Sequence, residues 1–238
     1  MEKSNNILEL KRLSLGYTKD ILVDNISVSA KKGKLIALMG LNGTGKTTLF
    51  KTILQEIKPI SGEIILKNNN IFSSNSTAQE ISDLISVVFT ERVRIFGFTV
   101  FDLIAMGRMP HTNRFGKLKN QDLEIINNYI HLLDLEKIKD VQINNLSDGQ
   151  FQKVMIAKAL SQETPLVLLD EPTAFLDIKN KEMIYNLLKK ITQEIGKTVI
   201  VSTHNLDFCK DFCDSIWLIQ NKKLQELDSK IITKEMFF

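Results

Sequence analysis

The sequence predicts an α/β protein with a largely parallel sheet and helices on both of its faces. Three short apolar runs are typical of strands that are buried on both sides: 34–39, 166–169 and 198–202. Segments with helical periodicity alternate with these runs, at 147–161, 178–194 and 206–213. Strand–helix alternation of this kind is typical of parallel sheets. The block from about 91 to 145 has helical periodicity and no strong strand, so we expect it to be a helical insertion.

The remaining elements follow in chain order. Patchy alternation of apolar and polar residues predicts two N-terminal strands, at 7–17 and 21–30. A helix is expected to begin at the glycine-rich segment 40–48 and to run to about 57, before Pro59. Further strands are predicted at 62–67, 84–90 and 215–219, and helices in the insertion at 102–108 and 121–135. The polar stretch 67–76 is predicted to be a loop.

Composition narrows the class of protein. A chain of 238 residues that is 43% hydrophobic and 25% charged is ordinary for one large globular domain. The net charge of +3 is small, so we expect no nucleic-acid partner. Without a run of 18 apolar residues or the apolar core of a signal peptide, the chain is expected in the cytosol, or at a membrane only through a partner. Cys209 and Cys213 have poor zinc spacing and are expected to be reduced thiols.

The segment 40–48 satisfies the phosphate-binding pattern G-x-x-x-x-G-K-[ST] through Gly40, Gly45, Lys46 and Thr47. Glycines let such a loop point backbone N–H groups at a phosphate chain, and the positive end of the following helix favours anions. Lys46 would reach the β- and γ-phosphates, and the Thr47 hydroxyl would bind Mg²⁺. Because the segment follows a buried strand and begins a helix, an incidental glycine-rich turn is the weaker interpretation.

Two further strand ends carry polar side chains. The run 166–169 ends in Asp170 and Glu171, and the run 198–202 is followed by His204. Since ligands of a parallel sheet collect beyond the carboxyl ends of its strands, all three side chains are expected near the phosphate loop. Asp170 would hold the Mg²⁺ shell, and Glu171 would be the general base for an attacking water. Taken singly, a helix-capping acid and a structural histidine are the ordinary interpretations.

The segment 146–150 precedes a predicted helix and contains Ser147, Gly149 and Gln150. Ser147 and Gln150 fit a capping box. Gly149 is not explained by that motif, because glycine costs about 1 kcal/mol inside a helix. A glycine here indicates that another group approaches the backbone closely.

Together these motifs resemble, over nearly the whole chain and in order, those of the ATP-binding cassette (ABC) ATPases. The segment 40–48 is similar to the Walker A motif, 146–150 to the signature motif with Asp148 in place of the commoner glycine, and Asp170-Glu171 to the end of Walker B. The segment 174–177 is similar to the D-loop, His204 to the switch histidine, and Tyr17 to the aromatic residue that stacks on adenine.

The resemblance implies a P-loop NTPase core with a mostly parallel sheet, an N-terminal antiparallel β-subdomain and a helical insertion. One ABC domain would span 1–238, with 1–90 and 146–238 as the core and about 91–145 as the helical subdomain. Glu171, His204 and Lys46 would be catalytic, and the cofactors would be ATP and Mg²⁺. The implied nucleotide contacts are Tyr17, Gly40, Asn42, Gly43, Thr44, Gly45, Lys46, Thr47, Thr48, Ser147, Gly149, Gln150 and Asp177.

The resemblance also implies partners. In a head-to-tail homodimer, Ser147 and Gly149 would contact the γ-phosphate held by the other copy, and Asp177 would contact across the same interface. Transmembrane permease subunits and an external substrate-binding protein would complete the system, with this chain peripheral on the cytoplasmic face of the inner membrane.

One departure from the family pattern concerns the segment after the strand predicted at 84–90. The family usually has a Gln there that binds Mg²⁺ and senses the permease, and this sequence has none. By position Glu91 is the expected substitute and metal ligand. Its extra negative charge beside Asp170 and Glu171 predicts a tighter Mg²⁺ requirement and altered hydrolysis.

The segment 98–111 is similar to ATPase subunits of bacterial importers for iron–siderophore complexes, haem and cobalamin. The resemblance implies that this region packs under the permease, with Arg108 and His111 as interface candidates. An ordinary apolar core stripe is the plain interpretation of Val100, Leu103, Ile104 and Met106, and we expect them to form one as well. The alternatives are an ABC ATPase of another transport system, a soluble non-transport member, and a catalytically inert binding module.

Overall fold

The computed structural model describes residues 5–17, 20–72, 77–90, 96–230 and 232–233, which form two sheets and seven α-helices. A four-stranded antiparallel sheet has the order β2-β1-β4-β5. Its strands are β1 (Asn6–Tyr17), β2 (Asp20–Lys31), β4 (Ser61–Leu66) and β5 (Asn69–Asn70).

The central sheet has six strands in the order β10-β9-β3-β8-β7-β6. Its neighbouring strands run parallel except β9 and β10, which form an antiparallel pair. The strands are β3 (Leu35–Gly40), β6 (Ile85–Val88), β7 (Leu166–Asp170), β8 (Thr198–Ser202), β9 (Ser215–Gln220) and β10 (Lys223–Asp228). The predicted α/β class, with a mostly parallel sheet and an antiparallel N-terminal sheet, is confirmed.

The helices connect the strands and cover the sheet. They are α1 (Lys46–Ile53), α2 (Ala78–Leu84), α3 (Val100–Ala105), α4 (Asn120–Leu132), α5 (Asp148–Ser161), α6 (Ile178–Gln193) and α7 (Leu206–Phe212). Three 3₁₀ segments lie at Met106–His111, Glu136–Ile138 and Ile143–Asn145. Between Val100 and Asn145 the regular elements are therefore all helical. The division into a core and a helical subdomain stays a prediction.

The core lies on both faces of the central sheet, and β3 shows why its sequence is an unbroken apolar run. Ile36 and Leu38 pack into a cluster with α1 and the antiparallel sheet. Leu35, Ala37 and Met39 pack into the opposite cluster, with residues of α3, α4, α5 and α6. Because alternate side chains enter different clusters, no polar face remains on the strand.

Several elements differ from the predictions. Helix α1 ends at Ile53 and not near 57, and Gln55 just beyond it has a left-handed φ of 63°. Helix α2 was not predicted, although Thr77 and Glu80 form its capping box. Strand β10 was also missed because only Leu224 of its side chains is buried. The two-residue strand β5 lies in the predicted loop 67–76, of which 73–76 lie outside the described residues.

The helical block contains the predicted core stripe. Val100, Leu103 and Ile104 are buried, whereas Met106 is exposed. Helix α3 begins two residues earlier than predicted and passes at Met106 into a 3₁₀ segment, which contains Pro110. Among the described residues, no helix combines the length and the apolar character that a membrane crossing needs.

Candidate nucleotide site

The phosphate loop connects β3 to α1 and is shaped by three glycines with positive φ. Gly40, Gly43 and Gly45 have φ values of 155°, 80° and 108°. A Cβ atom at Gly40 would lie 2.8 Å from the Ile219 carbonyl oxygen, so the loop passes too close to β9 for a larger residue. Gly45 caps α1 without a side-chain hydrogen bond. The first N–H groups of α1 are therefore left free of side-chain caps at the loop.

Lys46 lies over this loop. It is only 7% exposed, and its ammonium group donates to the Gly40 carbonyl (2.8 Å) and the Leu41 carbonyl (3.2 Å). Thr44 also donates to the Leu41 carbonyl, through its hydroxyl. These bonds hold the lysine charge at the mouth of the loop, where a phosphate chain would carry the opposite charge.

Asp170, at the carboxyl end of β7, is held by three hydroxyl groups. Its two carboxylate oxygens accept from Thr47 (2.7 Å) and from Ser202 (2.6 Å). Its backbone carbonyl accepts from Thr90 (2.7 Å). The predicted pair Thr47 and Asp170 is thus brought together, whereas Thr90 and Ser202 were missed by sequence reasoning. Their only signal was that each lies at the end of a predicted strand.

Glu171 lies between the other two predicted catalytic side chains. One of its carboxylate oxygens is 3.7 Å from the Lys46 ammonium, and the other is 3.9 Å from Nδ1 of His204. Its backbone has a φ of 45°, in the left-handed region that residues other than glycine seldom adopt. The expectation that the three strand ends converge is therefore met by the geometry, while the catalytic roles stay predictions.

Glu171 also lines three cavities, of which the two largest lie on the phosphate-loop side and beside His204. The cavity on the phosphate-loop side has a volume of about 460 Å³. Its lining residues are Tyr17, Leu22, Asn42, Gly43, Gly45, Lys46, Thr47, Thr48, Thr90, Asp170 and Glu171. A larger cavity of about 640 Å³ extends past His204 to α6 and α7. The smaller cavity, around the phosphate loop, is the better candidate for the nucleotide. It has the donors and carboxylates that a nucleotide phosphate and its cation need.

Tyr17 lies at the entrance of the phosphate-side cavity. Its side chain is 53% exposed, and its hydroxyl is 3.5 Å from the Thr48 hydroxyl. An exposed ring at the end of β1 could stack on a planar base, so the predicted adenine contact fits this position.

The oxygens at the cavity fit a magnesium ion that is bound together with phosphates. Mg²⁺ is usually held by one or two carboxylates, with substrate phosphates and water filling the other positions. Thr47 and Asp170 provide a hydroxyl and a carboxylate. Within the described part of the chain, no cluster of three or more His, Cys, Asp or Glu residues could hold a metal by itself. The third predicted ligand, Glu91, lies outside the described residues.

The segment 146–150 begins α5 and forms both halves of the predicted capping box. The Ser147 hydroxyl accepts from the Gln150 N–H (3.3 Å), and the Gln150 side chain accepts from the Ser147 N–H (3.0 Å). A Cβ atom at Gly149 would lie 2.6 Å from Oδ1 of Asn180, which belongs to α6 of the same chain. The close approach that the glycine indicated is therefore present inside the chain.

Asn180, which lies against Gly149, also contacts Asp177. The Asp177 carboxylate caps α6 by accepting from the Asn180 backbone N–H (2.8 Å) and from the Asn180 side-chain amide (3.1 Å). None of Ser147, Gly149, Gln150 and Asp177 lines the phosphate-side cavity of their own chain.

The structure corrects the predicted role of Arg108. It is only 5% exposed, and it donates to Asp122 (2.9 Å), to the Ser161 carbonyl (2.7 Å) and to Glu163 (3.2 Å). Arg108 therefore joins α4 and α5 internally and cannot reach a partner. His111 is exposed, with its Nε2 2.9 Å from the Gln162 carbonyl oxygen.

Residues 23–174 match the ABC transporter family. The chain is 34% identical, over 92% of its length, to the iron(3+)-hydroxamate import ATP-binding protein of Bacillus subtilis, of which it covers 80%. It is also 34% identical, over 92% of its length, to a probable iron chelatin transport ATP-binding protein of Helicobacter pylori, of which it covers 85%.

Solved structures give the same result. A metal-chelate type ABC transporter in an inward-facing conformation superposes with a TM-score of 0.85 at 28% identity, covering 97% of this chain and 87% of the other. A dimeric bacterial ABC transporter cassette superposes with a TM-score of 0.79 at 28% identity, covering 94% of this chain and all of the other.

Proposed function

The chain belongs to the ABC transporter family and is an ATPase of that family. We propose that it energises a bacterial importer whose cargo is an iron–siderophore complex, haem or cobalamin. The names of its relatives in Bacillus subtilis and Helicobacter pylori, both concerned with iron complexes, support this cargo class. The observation that carries the enzymatic part is the position of Glu171, between Lys46 and His204 and beside the Thr47–Asp170 pair.

In the proposed reaction, the N–H groups of the phosphate loop and the Lys46 ammonium hold the phosphates of ATP. Thr47 and Asp170 would hold Mg²⁺, which when bound would neutralise phosphate charge as the terminal phosphoryl group passes to water and ADP leaves. Glu171 takes a proton from the attacking water as general base. His204, 3.9 Å from Glu171, would orient that carboxylate.

We further propose that the site is completed by a second copy of the chain in a head-to-tail homodimer. Ser147, Gln150 and Asp177 are exposed and do not line their own phosphate-side cavity, so they are free to contact nucleotide held by the other copy. Phe175 and Ile178, on either side of Asp177, are 78% and 86% exposed. Large exposed apolar side chains beside a functional loop favour a protein interface there.

The proposed contact with the permease lies in a groove of about 460 Å³ between the end of α1, α2, the edge strand β6 and the end of α5. Lys158 lines this groove. Its carbonyl accepts from the Ser161 hydroxyl (2.8 Å), whereas no hydrogen bond or ion pair joins its ammonium group to the described residues. Burial lowers the pKa of its ammonium group. A carboxylate or helix C-terminus of a partner would offset that burial. The groove replaces Arg108 as the interface candidate, beside the proposed helical subdomain 91–145.

In this arrangement the chain is peripheral on the cytoplasmic face of the inner membrane, and an external binding protein delivers the cargo. Nucleotide-driven closure of two copies would pull on the permease, and hydrolysis would release them.

The test is ATP turnover by the purified chain, alone and with its permease. Glu171→Gln should lower turnover about 100-fold or more while ATP binding persists, because a general base contributes about 10²–10⁴-fold. Glu182→Gln, an exposed glutamate on α6, is the matched control and should turn over normally. Normal turnover in Glu171→Gln would reassign the base. Purification with soluble partners and without membranes would count against import.

A further inference from the structure

Ser202 is the last residue of β8 and is completely buried. Its hydroxyl donates to one carboxylate oxygen of Asp170 (2.6 Å) and accepts from the backbone N–H of Glu171 (2.8 Å). A hydroxyl has one proton to donate, so its direction is fixed by the carboxylate and a lone pair is left for the N–H. One side chain therefore contacts both acids of the site.

The bond to Asp170 fixes the orientation of the carboxylate. Ser202 holds one oxygen, and the other accepts from Thr47. Asp170 and Ser202 are paired across the parallel strands β7 and β8, so the contact is set by the register of the sheet. A carboxylate held at both oxygens has little freedom to rotate, which is what a fixed ligand of a cation requires.

The bond to Glu171 fixes the backbone at a strained position. A left-handed φ such as the 45° of Glu171 costs about 1–2 kcal/mol in a residue other than glycine and persists only where surrounding contacts hold it. The Ser202 hydroxyl accepts the N–H of that residue, just where the chain turns out of β7. This turn places the Glu171 carboxylate beside Lys46 and His204.

We propose that Ser202 is a positioning residue for ATP hydrolysis. It fixes the position of the metal-binding carboxylate of Asp170 relative to the general base Glu171. This inference rests on the proposed function. Ser202 lies behind both acids and lines none of the three cavities that Glu171 lines. It therefore acts through Asp170 and Glu171 and not on the nucleotide.

The experiment compares Ser202→Ala and Ser202→Thr with a matched control. The alanine variant removes one oxygen atom, and the threonine variant keeps the hydroxyl. The control is Thr198→Ala at the other end of β8, where a completely buried hydroxyl accepts from the Gly33 N–H (3.0 Å), far from the acids. For each variant, kcat and KM, the melting temperature and ATP affinity with and without Mg²⁺ are measured on the full chain.

We expect Ser202→Ala to lower kcat about 10- to 100-fold, as loss of a residue that orients a metal ligand typically does. ATP affinity in the presence of a chelator should be unchanged, and the gain in affinity on adding Mg²⁺ should shrink severalfold. Ser202→Thr should restore both quantities. Thr198→Ala should lower the melting temperature and leave kcat and the Mg²⁺ effect unchanged.

Three outcomes would overturn the inference. One is a wild-type kcat and Mg²⁺ effect in Ser202→Ala. Another is a folded Ser202→Thr variant that recovers neither quantity. The third is a loss of kcat in Thr198→Ala as large as in Ser202→Ala, which would make the effect one of stability. Failure of the enzymatic part of the proposed function looks different, because the wild-type chain would then not hydrolyse ATP, or Glu171→Gln would turn over normally.

Discussion

Truncating Arg108 tests the internal ion pair that replaces its predicted role at an interface. In Arg108→Met the guanidinium is lost while most of the apolar stem is kept. Asp122, itself buried, then retains only the backbone N–H of Lys119, which donates to its second oxygen (2.8 Å). Leaving a buried charge without its partner costs about 3–5 kcal/mol. That cost is a large share of the total stability of about 5–15 kcal/mol that folded domains have.

Thermal and urea unfolding, followed by circular dichroism, measure this loss. For a chain of this size, a loss of about 3–5 kcal/mol corresponds to a drop of about 6–20 °C in melting temperature. Arg114→Met, which removes an exposed arginine of the same block, is the control and should shift the melting point little. The double variant Arg108→Met with Asp122→Leu should recover much of the stability, because no buried charge is left.

The pH dependence gives an independent check. Burial alone would raise the pKa of Asp122, but the Lys119 N–H and the Arg108 guanidinium outweigh it, so the pKa lies below its ordinary value of 3.8. In the wild type, this contribution is present above pH 3.8 and is lost as the pH falls through the lower folded pKa. In Arg108→Met the unpaired buried carboxyl of Asp122 should have a raised pKa. Lowering the pH then protonates it and removes the buried charge that destabilises the variant. The stability gap should therefore begin to narrow above pH 3.8, as the pH falls through the raised pKa of the variant, and should narrow further below pH 3.8 as the wild type loses its contribution. A loss under 1 kcal/mol at pH 7, equal to that of Arg114→Met, would refute the reasoning.

Three other predictions concern the site and its partners. Tyr17→Ala should raise the KM for ATP about 10-fold with little change in kcat, since stacking on a base is worth about 1–3 kcal/mol, and Tyr17→Phe should behave as wild type. Glu91→Gln should change the Mg²⁺ concentration for half-maximal turnover about 3- to 10-fold; if Mg²⁺ dependence and turnover both stay unchanged, Glu91 is not a metal ligand. Lys158→Met should leave the melting temperature of the isolated chain equal or higher, because a partly buried charge is removed. It should also abolish stimulation of turnover by the permease, and full stimulation would move the permease contact away from the groove.

The elements that the sequence predicted well are those with a single environment along their length. Strands β3, β7 and β8 are buried on both faces, so their apolar runs are continuous and unmistakable. Strand β10 lies at the edge of the sheet and is mostly exposed, so its pattern is polar and was missed. Helix α2 is short and has only one buried residue, Ile81, which leaves too little periodicity to detect.

The parts of the site that were missed depend on contacts between distant residues. Ser202 and Thr90 contact Asp170 across 32 and 80 positions of the chain. Neither Ser202 nor Thr90 belongs to a sequence motif that predicts a phosphate or metal contact. Arg108 was expected at an interface because the family resemblance places its segment under the permease, and its buried partner Asp122 is 14 positions away. Local sequence patterns predict where the strands end. Which hydroxyl at a strand end contacts Asp170 depends on the register of the sheet, which the local pattern does not contain.

The order of the strands in space explains why that choice falls on β8. Along the chain, the phosphate loop follows β3, the two acids lie at the end of β7, and β8 comes after both. In the sheet, β8 lies between β3 and β7. The acids must therefore reach the start of α1 past the end of β8: Asp170 meets Thr47, and Glu171 approaches Lys46. The Ser202 side chain, at the end of β8, lies within this crossing and contacts both acids, and a small hydroxyl that can both donate and accept suits this position. A bulky apolar residue at position 202 would leave the Glu171 N–H without this acceptor at the strained turn. The strand between the phosphate loop and the acids therefore constrains the geometry of the site, as the motifs do.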